Sequence, residues 1–417
     1  MTTVRLGLLG YGRVGQAVAT VAAANADRLR ACGVDFQIVA ALVRDPAKRR
    51  SGPAANLCAD AAAVFDARPQ LLIEVMGGID PAFDYVRRAL EAGTPVVTAN
   101  KTLMAARGEE LRAIARRHRT PLLFDAAVLA GVPFLGALSR RPFLNAPLGI
   151  TGILNGTSHF ICCALARGAS LQDALVEARS RGYAEPDSSA DLSGRDAAEK
   201  LTILAHLAGC ADLRVADLTR CDLTVLTPTD FVAARALYAV IKPIAQISFN
   251  RLRAGAWIGP ALIDASHPHA SSAGVFNFVQ LDTQAGHDLP VTFSGPGAGP
   301  AVTAATILDD AIEAWRGEGH PDRFPAPCAV PARELRQPAP SSWYVRVGST
   351  NLTPIDVAEI LAAHRVPAER LVSVEGGLAI RTIGSPWPAV QAISRILEAN
   401  GADVLVLPVI GAPTHGE

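Results

Sequence analysis

The segment Val4–Gly15, VRLGLLGYGRVG, reads as a short buried strand that enters a glycine-rich turn, and a helical Ala/Val run follows it to about Ala24. In the spacing G-x-G-x-x-G, the first glycine permits a tight turn and the second lets backbone approach a pyrophosphate. The third lets the helix pack on the strand, and the helix start offers free N–H groups to the anion. The segment predicts an α/β fold, a Rossmann-type doubly wound parallel sheet, with dinucleotide contacts from Gly10, Gly12, Arg13, Val14 and Gly15.

The second predicted strand indicates which dinucleotide is bound. It runs from Phe36 to Val43 and ends at Arg44, where an NAD-specific fold usually has an acidic residue for the ribose hydroxyls. Asp45 comes one residue late, and three more basic residues follow, at Lys48, Arg49 and Arg50. Because a guanidinium can hold a 2′-phosphate, Arg44 favours NADP over NAD. The alternative is a solvated basic segment without a ligand.

Two further strands end in polar or glycine residues. Leu71–Met76 runs into a glycine pair, and Thr94–Thr98 runs into an Asn-Lys pair. In an open parallel sheet, the carboxyl ends of the strands line the ligand crevice. We therefore expect four residues beside the nicotinamide, namely Met76, Gly77, Asn100 and Lys101. The alternative for Lys101 is an ordinary surface lysine.

An acid-rich loop, Gly182–Gly194, leads into a helix that carries Asp196 and Lys200 one turn apart. At about 100° per residue, both side chains point toward an apolar face formed by Ile203, Leu204 and Leu207. The same geometry makes Glu199, Thr202 and His206 the water-facing arc. Because partly buried charges are costly, the pair is a candidate catalytic site. An ordinary ion pair on a helix surface is the alternative.

The composition limits the class of protein. With 417 residues, the chain is expected to form two or three domains. Lys plus Arg equals Asp plus Glu at 39 each, which argues against a nucleic-acid partner and favours a small molecule. Seven cysteines without a CxxC pair predict reduced thiols in a cytoplasmic protein. Neither a signal-peptide pattern nor a bilayer-spanning apolar run is found, so no membrane association is expected.

The remaining segments predict two more parts. Residues 136–320 contain strands, helices and two turns that could bind an anion at a helix start, at Asn155–Ser158 and Gly295–Pro300. A Pro-rich linker, Arg336–Pro340, is followed over 340–412 by the order βαββαβ, which is the ferredoxin-like pattern. We therefore expect a Rossmann domain at 1–135, an α+β domain at 136–320 and a ferredoxin-like domain at 340–412.

Six ordered motifs resemble those of homoserine dehydrogenase. They are Gly10–Gly15, Val75–Ile79, Thr98–Lys101, Gly152–Thr157, Gly182–Lys200 and Gly297–Gly299. The resemblance implies an NAD(P)H-dependent oxidoreductase that interconverts L-aspartate 4-semialdehyde and L-homoserine in threonine and methionine biosynthesis. It also implies that 136–320 is the catalytic and dimerisation domain of a homodimer or homotetramer.

The same resemblance implies the roles of single residues. Lys200 is the proton donor and acceptor for the substrate oxygen, and Lys101 assists where cofactor and substrate meet. Glu185 and Asp196 bind homoserine. The further substrate contacts are Tyr183, Thr157 and Asp191. The further cofactor contacts are Gly182 and Gly297. These residue types suit the chemistry, because hydride delivery to an aldehyde creates an alkoxide that needs a cation or proton donor, and an α-ammonium needs carboxylates.

A sodium ion is a further ligand that the resemblance implies. The family often binds it through a Glu side chain and several backbone carbonyls. Asp125 occupies the place of that Glu here and is one methylene shorter. Carbonyls of three neighbouring residues could still serve a hard cation, those of Val128, Ala130 and Val132.

Other departures from the family pattern concern the acidic loop and its surroundings. Ser188 stands where a proline is common, and His159 stands where an asparagine often occurs. Arg195 replaces a usually apolar residue and could pair with Asp196, in competition with the substrate ammonium. One alternative reading is therefore a catalytically idle NADP-binding regulator. Another is a different two-domain semialdehyde dehydrogenase, although no motif suggests the nucleophilic cysteine of the phosphorylating kind.

The C-terminal pattern resembles the ACT regulatory domains that some homoserine dehydrogenases carry. In those domains, an amino acid such as threonine binds between paired domains. Here Gly348–Pro354 replaces the usual Asp-x-Pro-Gly turn. We expect an ACT-like dimerisation or sensing module and leave open whether an amino-acid effector binds.

Overall fold

The computed structural model describes residues 2–53, 55–139, 147–250, 254–283, 290–317, 330–339, 341–348 and 351–411. The strands in these ranges are β1 Thr2–Leu9, β2 Val34–Leu42, β3 Leu57–Cys58, β4 Leu71–Glu74, β5 Val96–Thr98, β6 Leu122–Leu123, β7 Pro147–Ile153, β8 Ala239–Ser248, β9 Gly255–Asp264, β10 Phe276–Thr283, β11 Val291–Pro296, β12 Ser342–Val347, β13 Ala368–Val374, β14 Gly377–Thr382 and β15 Val404–Ile410.

The α-helices in the same ranges are α1 Arg13–Ala24, α2 Ala26–Ala31, α3 Ala61–Asp66, α4 Ala82–Glu91, α5 Lys101–His118, α6 Asp125–Leu129, α7 Phe134–Ser139, α8 Gly156–Ala166, α9 Leu171–Ser180, α10 Ser189–Leu192, α11 Arg195–Leu207, α12 Pro228–Ala236, α13 Pro300–Trp315, α14 Pro354–Ala363 and α15 Trp387–Ala399. Within the described ranges, none of these helices is long and apolar enough to cross a membrane.

The chain divides into two units, each built from three separate segments. Unit 1 comprises Met1–Ala146, Thr202–Arg214 and Gly295–Pro327. Unit 2 comprises Pro147–Leu201, Val215–Ser294 and Cys328–Glu417. This division differs from the contiguous ranges expected from the sequence, because the chain returns to each unit twice.

Unit 1 contains a six-stranded parallel sheet in the order β3-β2-β1-β4-β5-β6. The central strand β4 is buried along its whole length, as expected of a parallel strand covered on both faces. Helices α1 and α13 contribute Val18 and Ile307 to the core of this sheet. The strand order reverses direction between β1 and β4, which is where such folds bind ligands. The predicted Rossmann-type sheet is confirmed.

Unit 2 contains a nine-stranded mixed sheet in the order β11-β10-β7-β8-β9-β15-β12-β14-β13. Its last four strands with α14 and α15 have the predicted βαββαβ order, and their arrangement β15-β12-β14-β13 is the ferredoxin-like one. This C-terminal segment shares the sheet with the rest of unit 2, because β15 pairs in parallel with β9 through Val409 and Ile410. Of the expected linker, Gln337 accepts a hydrogen bond from Ala256 N at 2.8 Å, so this part is held against β9.

The prediction that one arc of helix α11 faces water is wrong. Glu199, Thr202 and His206 are all buried. His206 Nε2 donates to Leu213 O at 2.7 Å, and burial lowers the pKa of the imidazole. The helical period shows which residues share a face, but it cannot show that a polar face is covered by other parts of the fold.

A buried carboxylate ties the C-terminal segment to helix α12. Asp230 accepts hydrogen bonds from Tyr344 Oη at 2.7 Å, from Thr227 N at 2.7 Å and from the Arg346 guanidinium. Burial and the Asp230 charge raise the pKa of Tyr344. Arg346 also donates to the exposed Asp403 at 3.0 Å. One carboxylate therefore caps α12 and anchors β12.

A fully buried imidazole lies under the sheet of unit 2. His159 Nδ1 donates to Phe276 O at 3.0 Å, and Nε2 has no hydrogen-bond partner among the described residues. Burial, with a smaller contribution from the Lys242 charge, lowers the pKa of His159 to about 4. The neutral imidazole is therefore the form that the fold accommodates.

We predict that Asp230→Asn lowers the free energy of unfolding by about 3 kcal/mol, because it leaves the buried Arg346 guanidinium with only the exposed Asp403 as a counter-charge. Tyr344→Phe, which removes one hydrogen bond, should cost about 1 kcal/mol. Urea unfolding measures both. Asp403→Asn is the control and should change stability by less than about 1 kcal/mol, since its side chain is 76% exposed. Equal losses for Asp230→Asn and Asp403→Asn would contradict the anchoring role.

We also predict that His159→Asn reduces the loss in the free energy of unfolding as the pH falls. The unfolded state takes up a proton near pH 6.5, whereas the folded state does so only near pH 4, so the wild type loses stability as pH falls through this window. The loss is up to about 3 kcal/mol relative to the variant. Urea unfolding of both proteins at a series of pH values gives the difference, in which the other titrating groups cancel. Parallel curves would refute the prediction.

Candidate active site

The glycine turn of unit 1 has the geometry that a dinucleotide needs. Gly10 has a φ of +106°, and a Cβ there would lie 2.9 Å from Val75 O. A Cβ on Gly15 would lie 2.3 Å from Gly10 O, so only glycine lets α1 pack this closely on β1. A Cβ on Gly12 would meet no described atom within 4 Å, so the backbone there is open to a ligand. No side chain caps the start of helix α1 at Arg13, and helix starts of this kind can bind an anion.

Arg44 lies at the carboxyl end of the strand next to this turn. It is exposed and follows β2, which pairs with β1 up to Leu9 and Leu42. The segment after Arg44 is fixed against the glycine turn, because Arg50 Nε donates to Tyr11 O at 3.2 Å. The predicted 2′-phosphate contact is therefore placed beside the glycine turn.

One buried carboxylate organises the ends of β4 and β5. Glu74 is fully buried and accepts hydrogen bonds from Met76 N at 2.8 Å, Thr98 Oγ1 at 2.6 Å and Asn100 Nδ2 at 3.3 Å. Burial raises the pKa of this carboxyl group. Sequence reasoning did not single out Glu74, although an acidic residue at the end of an otherwise apolar strand was the available signal.

Asn100 connects this carboxylate to the start of helix α5. Its Oδ1 caps the helix by accepting Leu103 N at 3.1 Å, and its Nδ2 also donates to Gly78 O at 2.6 Å. Lys101 is then the first residue of α5. Glu74 and Asn100 therefore hold together the predicted nicotinamide contacts Met76, Gly77, Asn100 and Lys101. Gly297, predicted as a further cofactor contact, lies between β11 and α13 in unit 1.

In unit 2, one amide group brings the predicted acidic residues together. Asn155 Nδ2 donates to Asp191 Oδ1 at 2.7 Å and to Asp196 Oδ2 at 2.8 Å. Its Oδ1 accepts Ser158 N at 2.7 Å and caps helix α8. Asn155 belongs to the motif Gly152–Thr157, but the sequence pattern did not indicate a role for its side chain. It fixes the separation between two carboxylates that would otherwise repel each other.

Lys200 is held by the second of these carboxylates. Its Nζ lies 2.9 Å from Asp196 Oδ2 and donates to Leu154 O at 2.7 Å. The lysine is only 8% exposed. The predicted pairing of Asp196 with Lys200 on a buried helix face is confirmed. Arg195, which was expected to compete for Asp196, instead reaches Glu199 at 3.6 Å.

The acidic loop brings the other predicted substrate residues near the start of α8. Thr157 Oγ1 donates to Tyr183 O at 2.7 Å, so the backbone of Tyr183 is fixed here while its ring remains 40% exposed. Ser188 Oγ donates to Glu185 O at 3.1 Å and thereby supports the loop where the family pattern has a proline. Glu185 is exposed, and Gly182 ends α9 with a φ of +74°.

The predicted cation ligands lie in unit 1. Asp125 starts helix α6, its Oδ2 accepts Gly136 N at 2.9 Å, and its backbone N donates to Asp310 Oδ2 at 3.1 Å. Burial and the Asp125 charge raise the pKa of Asp310. Val132 O accepts Phe134 N at 2.7 Å. In the part of the chain that the structure describes, no three His, Cys, Asp or Glu side chains are placed to hold a metal together.

Comparison with known families gives two matches. The family described as homoserine dehydrogenase matches residues 133–312, and the family described as homoserine dehydrogenase, NAD binding domain, matches residues 10–125. Both candidate half-sites fall within these ranges. The first includes Asn155, Asp196 and Lys200, and the second includes Gly10 and Asn100.

Single proteins agree with these matches. A homoserine dehydrogenase of Mycobacterium leprae is 37% identical over 75% of this chain and 73% of its own. One from Neisseria gonorrhoeae is 32% identical over 89% of this chain and 88% of its own. The crystal structure of a homoserine dehydrogenase from Thiobacillus denitrificans has a TM-score of 0.87 at 29% identity and covers 99% of each chain. The chain therefore belongs to the homoserine dehydrogenase family of NAD(P)-dependent oxidoreductases.

Proposed function

We propose that this homoserine dehydrogenase uses Lys200 as the proton donor to the oxygen of L-aspartate 4-semialdehyde and as the acceptor in the reverse direction. The observation that carries the proposal is the Lys200 ammonium, buried between Asp196 and the Leu154 carbonyl. An ammonium has three N–H donors. Two are directed at these oxygens, so the third is left for the substrate oxygen.

The reaction needs such a donor because reduction of an aldehyde places negative charge on its oxygen. A preorganised cation in a site with little water stabilises that charge more strongly than it would in water. Asp196 keeps the Lys200 ammonium oriented, and Leu154 O prevents it from rotating toward solvent. Lys200 then passes one proton to the developing alkoxide, and L-homoserine is the product.

The substrate's α-ammonium is proposed to bind the carboxylates of the acidic loop. Asp191 and Asp196 both accept hydrogen bonds from the Asn155 amide, so the two carboxylates lie close together. Glu185 supplies a third carboxylate from an exposed position. Thr157 and Tyr183 are proposed to line the same site, because their hydrogen bond fixes the loop beside the start of α8.

The dinucleotide is proposed to be NADP, and it supplies the hydride. The glycine turn fits a pyrophosphate, with Gly12 open to a ligand and the start of α1 uncapped. Arg44 would bind the 2′-phosphate. Lys101 and its neighbours at the strand ends, with Gly297, would surround the nicotinamide. The cofactor contact of Gly182 stays a prediction from the family resemblance. A hyperthermophilic archaeal homoserine dehydrogenase solved in complex with NADPH, 25% identical over 76% of this chain, supports this choice.

We further propose a homodimer or larger assembly and an ACT-like role for the C-terminal segment, and we keep the sodium ion as a prediction. Exposed apolar side chains in unit 2 support a homodimer or larger assembly, namely Val232, Tyr238 and Phe276. The βαββαβ order supports an ACT-like role for 340–412, although part of the unusual turn after β12, residues 349 and 350, lies outside the described residues. A sodium ion at Asp125 stays a prediction from the family resemblance.

We predict that Lys200→Met lowers kcat for homoserine-dependent NADP reduction by about 10²–10⁴-fold, the usual contribution of a positioned proton donor. The assay is absorbance at mildly alkaline pH, and NADPH fluorescence should show unchanged cofactor binding. Arg195→Ala, on the same helix, should leave kcat and KM unchanged because Arg195 points toward Glu199. A near-normal kcat in Lys200→Met would refute the assignment, and NADP binding without turnover in the wild type would favour the idle regulator.

We predict that Arg44→Asp lowers kcat/KM for NADP by about 10–100-fold, because a charge-assisted contact to the 2′-phosphate is lost, and that it raises kcat/KM for NAD. Steady-state kinetics with both cofactors measure the ratio. Arg49→Asp, which is also exposed on the following segment, is the matched control for the change in net charge. The prediction fails if the two variants change the cofactor ratio equally.

A further inference from the structure

A cavity in unit 2 contains a buried lysine that the proposed reaction does not use. It has a volume of about 320 Å³ and lies between the C-terminal half of α8, helix α12, strand β8 and the loop 270–273. Lys242 lies in its wall on β8 and is 7% exposed. Its Nζ donates to Ser272 O and lies 3.7 Å from Cys163 Sγ.

Lys242 differs from the other buried cations of unit 2 in what surrounds it. Lys200 lies 2.9 Å from Asp196, and Arg346 is paired with Asp230. For Lys242, no carboxylate oxygen lies within 4 Å in the part of the chain that the structure describes. Burying an ammonium without an opposite charge is unfavourable. The cavity therefore lacks the anion that would compensate Lys242.

The other charged side chains in the cavity wall are also positive. The ionisable side chains that line the cavity are cationic apart from the Cys163 thiol, and two exposed guanidiniums, Arg167 and Arg235, join Lys242. Neither guanidinium forms an ion pair with a described residue. Most of the remaining surface is apolar, including Phe231 and Ile241. The cavity therefore has one buried cation, Lys242, and two exposed cations, with apolar wall beside them. Such a wall suits a short hydrocarbon chain that carries an anionic group at each end.

We propose that this cavity binds a small organic dicarboxylate, with one carboxylate on Lys242 and the other at Arg167 and Arg235. The site is separate from the substrate site. Asn155 caps the start of α8, whereas Cys163 lies eight residues further along, about 12 Å along the helix axis at 1.5 Å per residue. The two ligands would contact opposite parts of one helix, so a dicarboxylate should bind without displacing homoserine.

Succinate is the probe, and isothermal titration calorimetry on the full chain at constant ionic strength is the measurement. We expect succinate to bind, its uncharged diamide succinamide not to bind, and saturating homoserine with NADPH, a pair that cannot react, to leave succinate binding in place. Inorganic phosphate tests whether the organic chain matters and should bind at least tenfold more weakly, since it has no hydrocarbon to contact the apolar wall. Phosphate binding as tight as that of succinate would overturn the dicarboxylate assignment.

Lys242→Met, which keeps the apolar stem and removes the charge, should weaken succinate binding at least tenfold. Because removing an unpaired buried ammonium can stabilise a fold, its thermal unfolding should not fall below that of the wild type. Should this variant fail to fold, Arg167→Gln with Arg235→Gln changes only exposed side chains and should weaken succinate binding to a similar extent. The control is Arg49→Gln, outside the cavity.

Three further results would overturn the proposal. They are no succinate binding by the wild type, equal binding by the wild type and Lys242→Met, and competition by homoserine, which would place the ligand in the substrate site. If the wild type binds no anion and Lys242→Met also changes the oligomer measured by light scattering, a second copy of the chain is the occupant instead.

Discussion

The proposed substrate site of this enzyme depends on a single primary amide. Asn155 donates its two amide hydrogens to two carboxylates, and its oxygen starts a helix. Without those hydrogens, Asp191 and Asp196 would repel each other at short range, and one of them would tend to bind a proton. A protonated Asp196 could neither orient Lys200 nor bind an ammonium. The charge state of the proposed site therefore depends on a group that has no charge.

The fold accommodates buried charge in several ways, and each has a different chemical consequence. Asp230 has a guanidinium, a phenol and a helix start as partners and therefore acts as a structural anchor. Glu74 has only neutral donors, so it arranges two loops without introducing a cation beside the cofactor. Lys242 has a carbonyl and a thiol but no carboxylate within the described part of the chain, which makes it the exception. A buried group whose partners are incomplete is a better indication of a ligand than its burial alone.

The sequence predicts the local features of this protein better than the long-range ones. The glycine turn and the Asp196–Lys200 pair follow from spacing, because each is settled within one or two turns of chain. Glu74 and Asn155 could not be assigned roles in this way, since their importance comes from donors and acceptors more than twenty residues away. The burial of His206 and the joining of β15 to β9 likewise depend on which segments meet, which no periodicity encodes.

The threading of the chain limits how this enzyme could have been assembled during evolution. Each unit consists of three segments that alternate along the sequence, and the boundary at Leu201–Thr202 falls inside helix α11, one residue after Lys200. No contiguous gene fragment encodes either unit. Recombination with a single breakpoint would therefore exchange pieces of both units at once. Exchange of either unit as an intact module would need several coordinated breakpoints.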